Sequence, residues 1–246
     1  MDTIKATVLK IADKARNSST NTTDCPTCRD TGHIETTGGW AECACNLRKR
    51  EAGRIEQLFA SAKIPVRYRD KTLDNFDIPW QPVAHKIAVE YVKTWPKEQG
   101  ESLFFVGPVG TGKSHLARAI LSTMIRRHGI SGLAATVPNL MDDLRPGDED
   151  KGEQIELLKR VPLLVLDDLG AQKTTPWVTE RLFVITNARY DDLLPTVITS
   201  NAYLEDLRKI PGWDRLVDRI VEMARAVRMD GKSYRVVGKL TGKEVQ

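Results

Sequence analysis

No cysteine follows Cys45 in this chain, no apolar run is long enough to cross a bilayer, and neither sign of charge dominates. The first absence excludes a disulfide framework distributed through the fold. The second excludes a membrane span. The third, a net charge of +4, permits contact with nucleic acid without arguing for it. The N-terminus also lacks the continuous apolar core of a signal peptide. Met1 to Arg16 instead interleaves Ile4, Val8, Leu9 and Ile11 with charged residues, the pattern of an amphipathic helix, so a cytoplasmic location is expected. Internal repeats and low-complexity tracts are absent. What remains is ordinary for a globular protein: 246 residues, 41% hydrophobic and 28% charged, enough for one substantial core and a small appendage.

Three stretches are visible. Residues 1–62 hold the amphipathic segment, the four cysteines and a second helix over about Asn46 to Ala62, with Ile55, Leu58, Phe59 and Ala62 at helical spacing. Residues 63–82 form a connector punctuated by Pro65, Pro79 and Pro82, and its Tyr68, Phe76 and Trp80 predict packing against a neighbour. Residues 83–246 alternate helices and strands. A helix around Ala84 to Trp95 precedes a strand at Ser102 to Val106, a glycine loop and a helix from Lys113. Further strands are expected at Gly132 to Val137, Val161 to Leu166 and Pro195 to Ser200. Such alternation predicts an α/β fold with a parallel sheet covered on both faces.

Gly107-Pro-Val-Gly-Thr-Gly-Lys-Ser114 fits G-x-x-x-x-G-K-[ST] and stands between an apolar strand and a helix, the context the motif requires. Gly107, Gly110 and Gly112 allow a sharp turn whose backbone N–H groups face phosphate oxygens, and the helix N-terminus adds its dipole. Lys113 supplies an ammonium for the β- and γ-phosphates, and Ser114 a hydroxyl for Mg²⁺. The nucleotide contacts expected are Gly107, Pro108, Gly110, Thr111, Gly112, Lys113, Ser114 and His115, and the nucleotide is ATP.

Leu163-Leu-Val-Leu-Asp-Asp168 is an apolar run followed by two carboxylates. In a phosphate-loop fold the acid ending the neighbouring strand reaches Mg²⁺, a role that falls to Asp167. Asp168 is then placed to orient or deprotonate the attacking water. Asn201, at the end of the next apolar strand, is the expected polar sensor of the γ-phosphate.

Taken together, GPVGTGKS, LLVLDDLG, VITSN, DRLVDRI and the late Ser233 to Arg235 resemble the bacterial and phage replicative helicase loaders of the DnaC/DnaI type, within the AAA+ superfamily. The connector KIPVRYRDKTLDNF resembles the same family's approach to its ATPase domain. That resemblance implies Walker A at Lys113 and Ser114, Walker B at Asp167 and Asp168, sensor I at Asn201, an arginine finger at Arg219 with Arg215 one helical turn before it, and sensor II at Arg235. Family members use the finger in trans, which implies self-association. With only residues 220–246 after Arg219, the helical lid must be reduced or missing. Asp168 stands where many AAA+ enzymes have Glu, which implies slow hydrolysis suited to a switch.

The partners implied are a hexameric replicative helicase of the DnaB family and single-stranded DNA, with Lys173, Arg126 and Arg127 as basic candidates near the nucleotide face. ATPases of the IstB transposition type resemble the loaders in the same domain and connector. They would act on duplex DNA and a transposase, and they are generally without a zinc cluster.

Cys25-x-x-Cys28 and Cys43-x-Cys45 bracket residues 29–42. Four thiolates suit tetrahedral Zn²⁺, and Gly32, Gly38 and Gly39 allow a hairpin between the pairs. His33 is a candidate to replace a cysteine that fails to reach. With all four positions filled by protein, the site is structural, holding together a domain too small for a core of its own. By resemblance, this is the zinc-bearing domain that grips the helicase.

Overall fold

The computed structural model describes residues 25–96, 100–145, 151–234 and 236. The amphipathic segment Met1 to Arg16 and Arg235 lie outside them. The chain divides into two compact units, with the division at Gly53/Arg54. The sequence boundary at residue 62 stands one residue past the end of the helix α1 (Ala44–Ser61).

The first unit is a hairpin of β1 (His33–Thr36) and β2 (Gly39–Glu42), antiparallel, followed by the start of α1. Its only buried apolar cluster among the described residues is Cys25, Cys28 and Cys43, with Ile34 and Cys45 packed beside them. A cluster that small cannot carry a fold by hydrophobic burial alone.

The second unit is a five-stranded, all-parallel sheet. In chain order it contains α2 (Pro82–Lys93), β3 (Ser102–Val106), α3 (Lys113–His128), β4 (Gly132–Thr136), α4 (Val137–Asp143), α5 (Lys151–Arg160), β5 (Leu163–Leu169), α6 (Pro176–Asp191), β6 (Thr196–Ser200), α7 (Leu204–Arg208), α8 (Asp214–Met223) and β7 (Ala224–Arg228). The strands lie in the order β4-β5-β6-β3-β7. All five residues of β3 are buried, and the strand sends Leu103 and Phe105 to one face of the sheet and Phe104 and Val106 to the other. The first face packs with α2 and α3, the second with α4, α5, α6 and α8. This is why β3 and β5 up to Leu166 read as continuous apolar runs, whereas the edge strand β7, with Arg225 and Arg228 exposed, does not.

Two expectations are corrected here. The acid-bearing strand β5 is not the neighbour of the loop-bearing strand β3, because β6 is inserted between them. Nor do Asp167 and Asp168 follow the end of the strand: β5 runs on to Leu169, and its pairing with β6 shifts register between Leu166 and Leu169. Sequence alone carries strand positions but not the long-range pairing order.

Residues 63–82 are built into the second unit. Ile64, Leu73 and Phe76 are core residues. Phe76 stacks on His85 at 5.7 Å and meets His115 edge-on at 5.1 Å, while Trp80 meets Tyr234 edge-on. After β7, the chain returns across the glycine loop as a strap. The Met229 amide donates to Val106 O and the Tyr234 amide to Gly110 O. No helical lid follows β7 among the described residues.

Candidate nucleotide site and cysteine centre

The loop between β3 and α3 turns on glycines with positive φ: 149° at Gly107, 86° at Gly110 and 98° at Gly112. Two of these positions also exclude a side chain by contact. A Cβ on Gly107 would collide with the Met229 carbonyl, and one on Gly110 with Ser233. Gly112 is the N-cap of α3 and brings no side-chain cap, so the first N–H groups of the helix are left for an anion. The Lys113 ammonium folds back along the loop and donates to the carbonyls of Gly107 and Pro108, both at 2.7 Å. Thr111 Oγ1 donates to Pro108 O at 3.0 Å and braces the same turn.

The inserted strand β6 ties the loop to the acids. Its last residue, Ser200, accepts the Gly107 amide. Its Thr199, fully buried, donates its hydroxyl to Asp167 Oδ1 at 2.6 Å and accepts the Asp168 amide at 3.0 Å. Asp167 Oδ1 also accepts from Ser114 Oγ at 2.8 Å. Asp168 sits in the left-handed region at φ 60°, within the register shift of β5. That bulge turns its side chain out of the strand's alternation and into the cleft.

The cleft has a volume of about 510 Å³ and brings together Lys113, Ser114, Asp168 and Asn201. The connector and the strap line the same cleft with Tyr68, Phe76, Trp80 and Tyr234, and with the polar Asp77 and Lys71. Aromatic side chains and the glycine loop in one cleft suit a nucleotide, which needs an apolar place for its base and N–H donors for its phosphates. Ser114 and Asp167 present converging hard oxygens, the donor set Mg²⁺ prefers. His115 also reaches the cleft, but its Nε2 is engaged with Thr72 O at 3.0 Å. Burial holds its pKa below the ordinary 6.5.

Sequence reasoning missed three participants. Thr199 is one, and its signal is a hydroxyl two residues before Asn201 on a fully buried strand. Arg118 is buried one turn along α3 from Ser114, with Nη1 2.6 Å from Asp167 Oδ2. Tyr68, Phe76 and Trp80 read in sequence as packing residues, and the fold also places them in the cleft.

Arg219 lies apart from the cleft. It donates from Nε to Asn187 Oδ1 at 2.9 Å, pairs with Glu222 at 3.2 Å and covers the Tyr190 ring. Arg215 is exposed on the same helix and has no ion pair among the described residues. Lys173 is exposed in the segment following β5. Arg126 and Arg127 are a correction to the sequence reading: they lie in the last turn of α3, whose 16 residues extend about 24 Å away from the phosphate loop. They are not near the nucleotide face.

In the first unit the four cysteines converge, their sulfurs all within 4.8 Å of one another. Cys25 and Cys43 are 3.8 Å apart, and Cys28 and Cys45 3.3 Å. Tetrahedral Zn²⁺ with bonds of about 2.3 Å sets its sulfurs about 3.8 Å apart, so the cluster fits. The Cys28 backbone amide holds the Cys25 thiol down at about 6, while hydrogen bonding to Cys28 pushes Cys45 up to about 12. Four thiols this close cannot all ionise unless a cation joins them. His33 is exposed and is not among the converging ligands.

No helix among the described residues is long and apolar enough to cross a membrane. The model of the family "IstB-like ATP binding protein" matches residues 43–242, which leaves Cys25 and Cys28 before the match. An ATP-binding protein of insertion sequence IS5376 from Geobacillus stearothermophilus is 28% identical over 205 residues, 80% of each chain. The replicative helicase loader DnaC of Escherichia coli is 28% identical over 204 residues, 80% of this chain and 81% of that protein. Against Bacillus subtilis YqaM, at 28% identity, the match spans 61% of that protein's length. The crystal structure of the DnaC helicase loader superimposes with a TM-score of 0.61 at 30% identity, over 67% of this chain and 99% of that one. With its phosphate loop, its acid pair and this match, the chain is an AAA+ ATPase and belongs to the IstB-like ATP-binding protein family.

Proposed function

We propose that this protein loads a hexameric replicative DNA helicase onto single-stranded DNA, with ATP as the switch. The observation that carries the proposal is the cysteine centre. The ATPase unit is of a kind common to helicase loaders and insertion-sequence ATPases, but a separate unit built on four converging thiols precedes it. Such a unit is expected of zinc-bearing loaders, and the helicase is its partner.

In the ATPase unit, the loop from Gly107 to Ser114 holds the phosphates, with the Lys113 ammonium moving from its loop carbonyls to the β- and γ-oxygens. The base lies against Tyr68, Phe76, Trp80 and Tyr234. Ser114 and Asp167 would hold Mg²⁺, which would neutralise charge on the phosphates. Asp168 orients the attacking water and accepts its proton, and Asn201 contacts the γ-phosphate end. Arg219 lies outside its own cleft and acts on the site of an adjacent copy, where Arg215 on the same helix contributes to the contact. Lys173 is positioned to meet a DNA backbone.

The family match and the IS5376 relative favour one second reading, a transposition ATPase acting on duplex DNA and a transposase. Light scattering after gel filtration, with the replicative helicase of the same genome and ATP, separates the two. The loader reading predicts a stable complex that is lost when Cys25 and Cys28 are replaced by Ser. Absence of a complex with ATP, ADP or no nucleotide, combined with binding to duplex DNA, would favour the transposition ATPase.

A further inference from the structure

Arg118 is among the largest fully buried side chains in the protein, at 2% exposure, and it lies directly behind the candidate metal position. Its Nη1 is 2.6 Å from Asp167 Oδ2, opposite the Oδ1 that accepts from Ser114 and Thr199. The ring of Tyr68, from the connector, covers the guanidinium at 4.0 Å. Nε finds no acceptor, and the Nη1 contact is an ion pair by distance without hydrogen-bond alignment. Burying a guanidinium with so few hydrogen bonds is unfavourable unless its charge is needed there.

We propose that Arg118 is a built-in cation that neutralises Asp167, so that the site takes a divalent metal only together with a nucleoside triphosphate. The inference rests on Ser114 and Asp167 being the metal position. Arg118 cancels the formal charge of Asp167, and the cleft beside them carries Arg67, Lys71 and Lys113 against Asp77 and Asp168, so no net negative charge faces the metal position. Mg²⁺ gives up its water reluctantly and is usually held by one or two carboxylates together with substrate phosphates. A neutral protein site offers little compensation for that dehydration, whereas the triphosphate supplies the missing negative charge. Arg118 is a positioning residue in this scheme: it fixes which oxygen of Asp167 faces Ser114 and sets the charge that the metal encounters. Free divalent cations in the absence of ATP then do not hold the site in a false nucleotide-bound arrangement.

The test is calorimetric titration of the zinc-loaded protein with Mn²⁺ alone and with Mn²⁺·ATP. Wild-type protein should bind Mn²⁺·ATP and show no saturable binding of Mn²⁺ alone. Arg118→Met should acquire binding of Mn²⁺ alone, tighter than wild type by at least about tenfold, since it removes a unit charge a few ångströms from a dication. Arg118→Lys should behave as wild type, and Asp167→Asn in the Arg118→Met background should abolish the acquired binding. Melting gives a second readout: divalent cation should raise the melting temperature of Arg118→Met and leave that of wild type unchanged. Failure of Mn²⁺·ATP to bind wild type would overturn the nucleotide-site reading itself. Saturable binding of Mn²⁺ alone by wild type, with Mn²⁺·ATP binding intact, would leave that reading standing and overturn the role of Arg118. Where Arg118→Met does not fold, Arg118→Gln takes its place, and a folded variant without the charge that binds Mn²⁺ alone no better than wild type would also overturn the role of Arg118.

Discussion

Thr199 Oγ1 donates its hydrogen to Asp167 Oδ1 at 2.6 Å and itself accepts the amide of Asp168 at 3.0 Å. One buried hydroxyl on β6 therefore fixes both carboxylates on β5. Thr199→Val keeps the shape and removes the hydroxyl shared by the Asp167 carboxylate and the Asp168 amide. Steady-state ATPase assays should show kcat falling by about one to two orders of magnitude, with KM changed little, because the lost contacts position chemistry more than they bind substrate. Thr199→Ser should restore most of the rate. Equal losses in ATP binding and in turnover would contradict this role.

Arg219 is held by Asn187, Glu222 and Tyr190 on its own copy and lies apart from its own cleft. Alone, Arg219→Ala should bind ATP normally and lose most of its hydrolysis, within the range of about 10³ to 10⁵ given for such fingers. Mixed with Asp168→Asn, it should regain part of that activity, because some interfaces then pair an intact acid with an intact arginine. A mixture no more active than its two components would leave Arg219 as a surface brace between α6 and α8.

His115 is buried against the connector, with its Nε2 engaged by Thr72 O and its ring against Phe76. Burial is the main cause of its lowered pKa, with Lys71 and His85 adding to it. Unfolded, the ring takes up a proton near pH 6.5; folded, it does so only at lower pH. Between those values the unfolded state binds more protons, so stability falls as pH drops below about 6.5. Chemical denaturation at pH 7.5 and at pH 5.5 should show a smaller difference for His115→Gln, whose amide can still donate to Thr72 O, than for wild type. Parallel pH dependences in the two proteins would remove His115 as the source.

The chemistry of the nucleotide site was legible where it is local in sequence. The apolar run ending at Val106, the glycine spacing and Lys113-Ser114 specify a strand, a turn and a helix, and that is how residues 102–128 fold. The two cysteine pairs were legible for the same reason, since a short hairpin is enough to bring them together. What sequence did not carry is long-range. The insertion of β6 between β3 and β5 makes Thr199 the shared partner of both acids, and it depends on pairings made across the whole domain. Arg118 reads as an ordinary helix residue until the fold sets it against Asp167. Arg126 and Arg127 read as close to the loop because they share its helix, yet that helix carries them away from it.

The most direct test of the loader reading is helicase loading itself. Circular single-stranded DNA coated with single-strand-binding protein, and carrying an annealed oligonucleotide, is incubated with the replicative helicase of the same genome, ATP and this protein. Oligonucleotide release should rise well above that with helicase alone, and the rise should vanish with Lys113→Ala or with Cys25 and Cys28 replaced by Ser. Release no greater than with helicase alone, under conditions where the protein hydrolyses ATP, would contradict the loader reading.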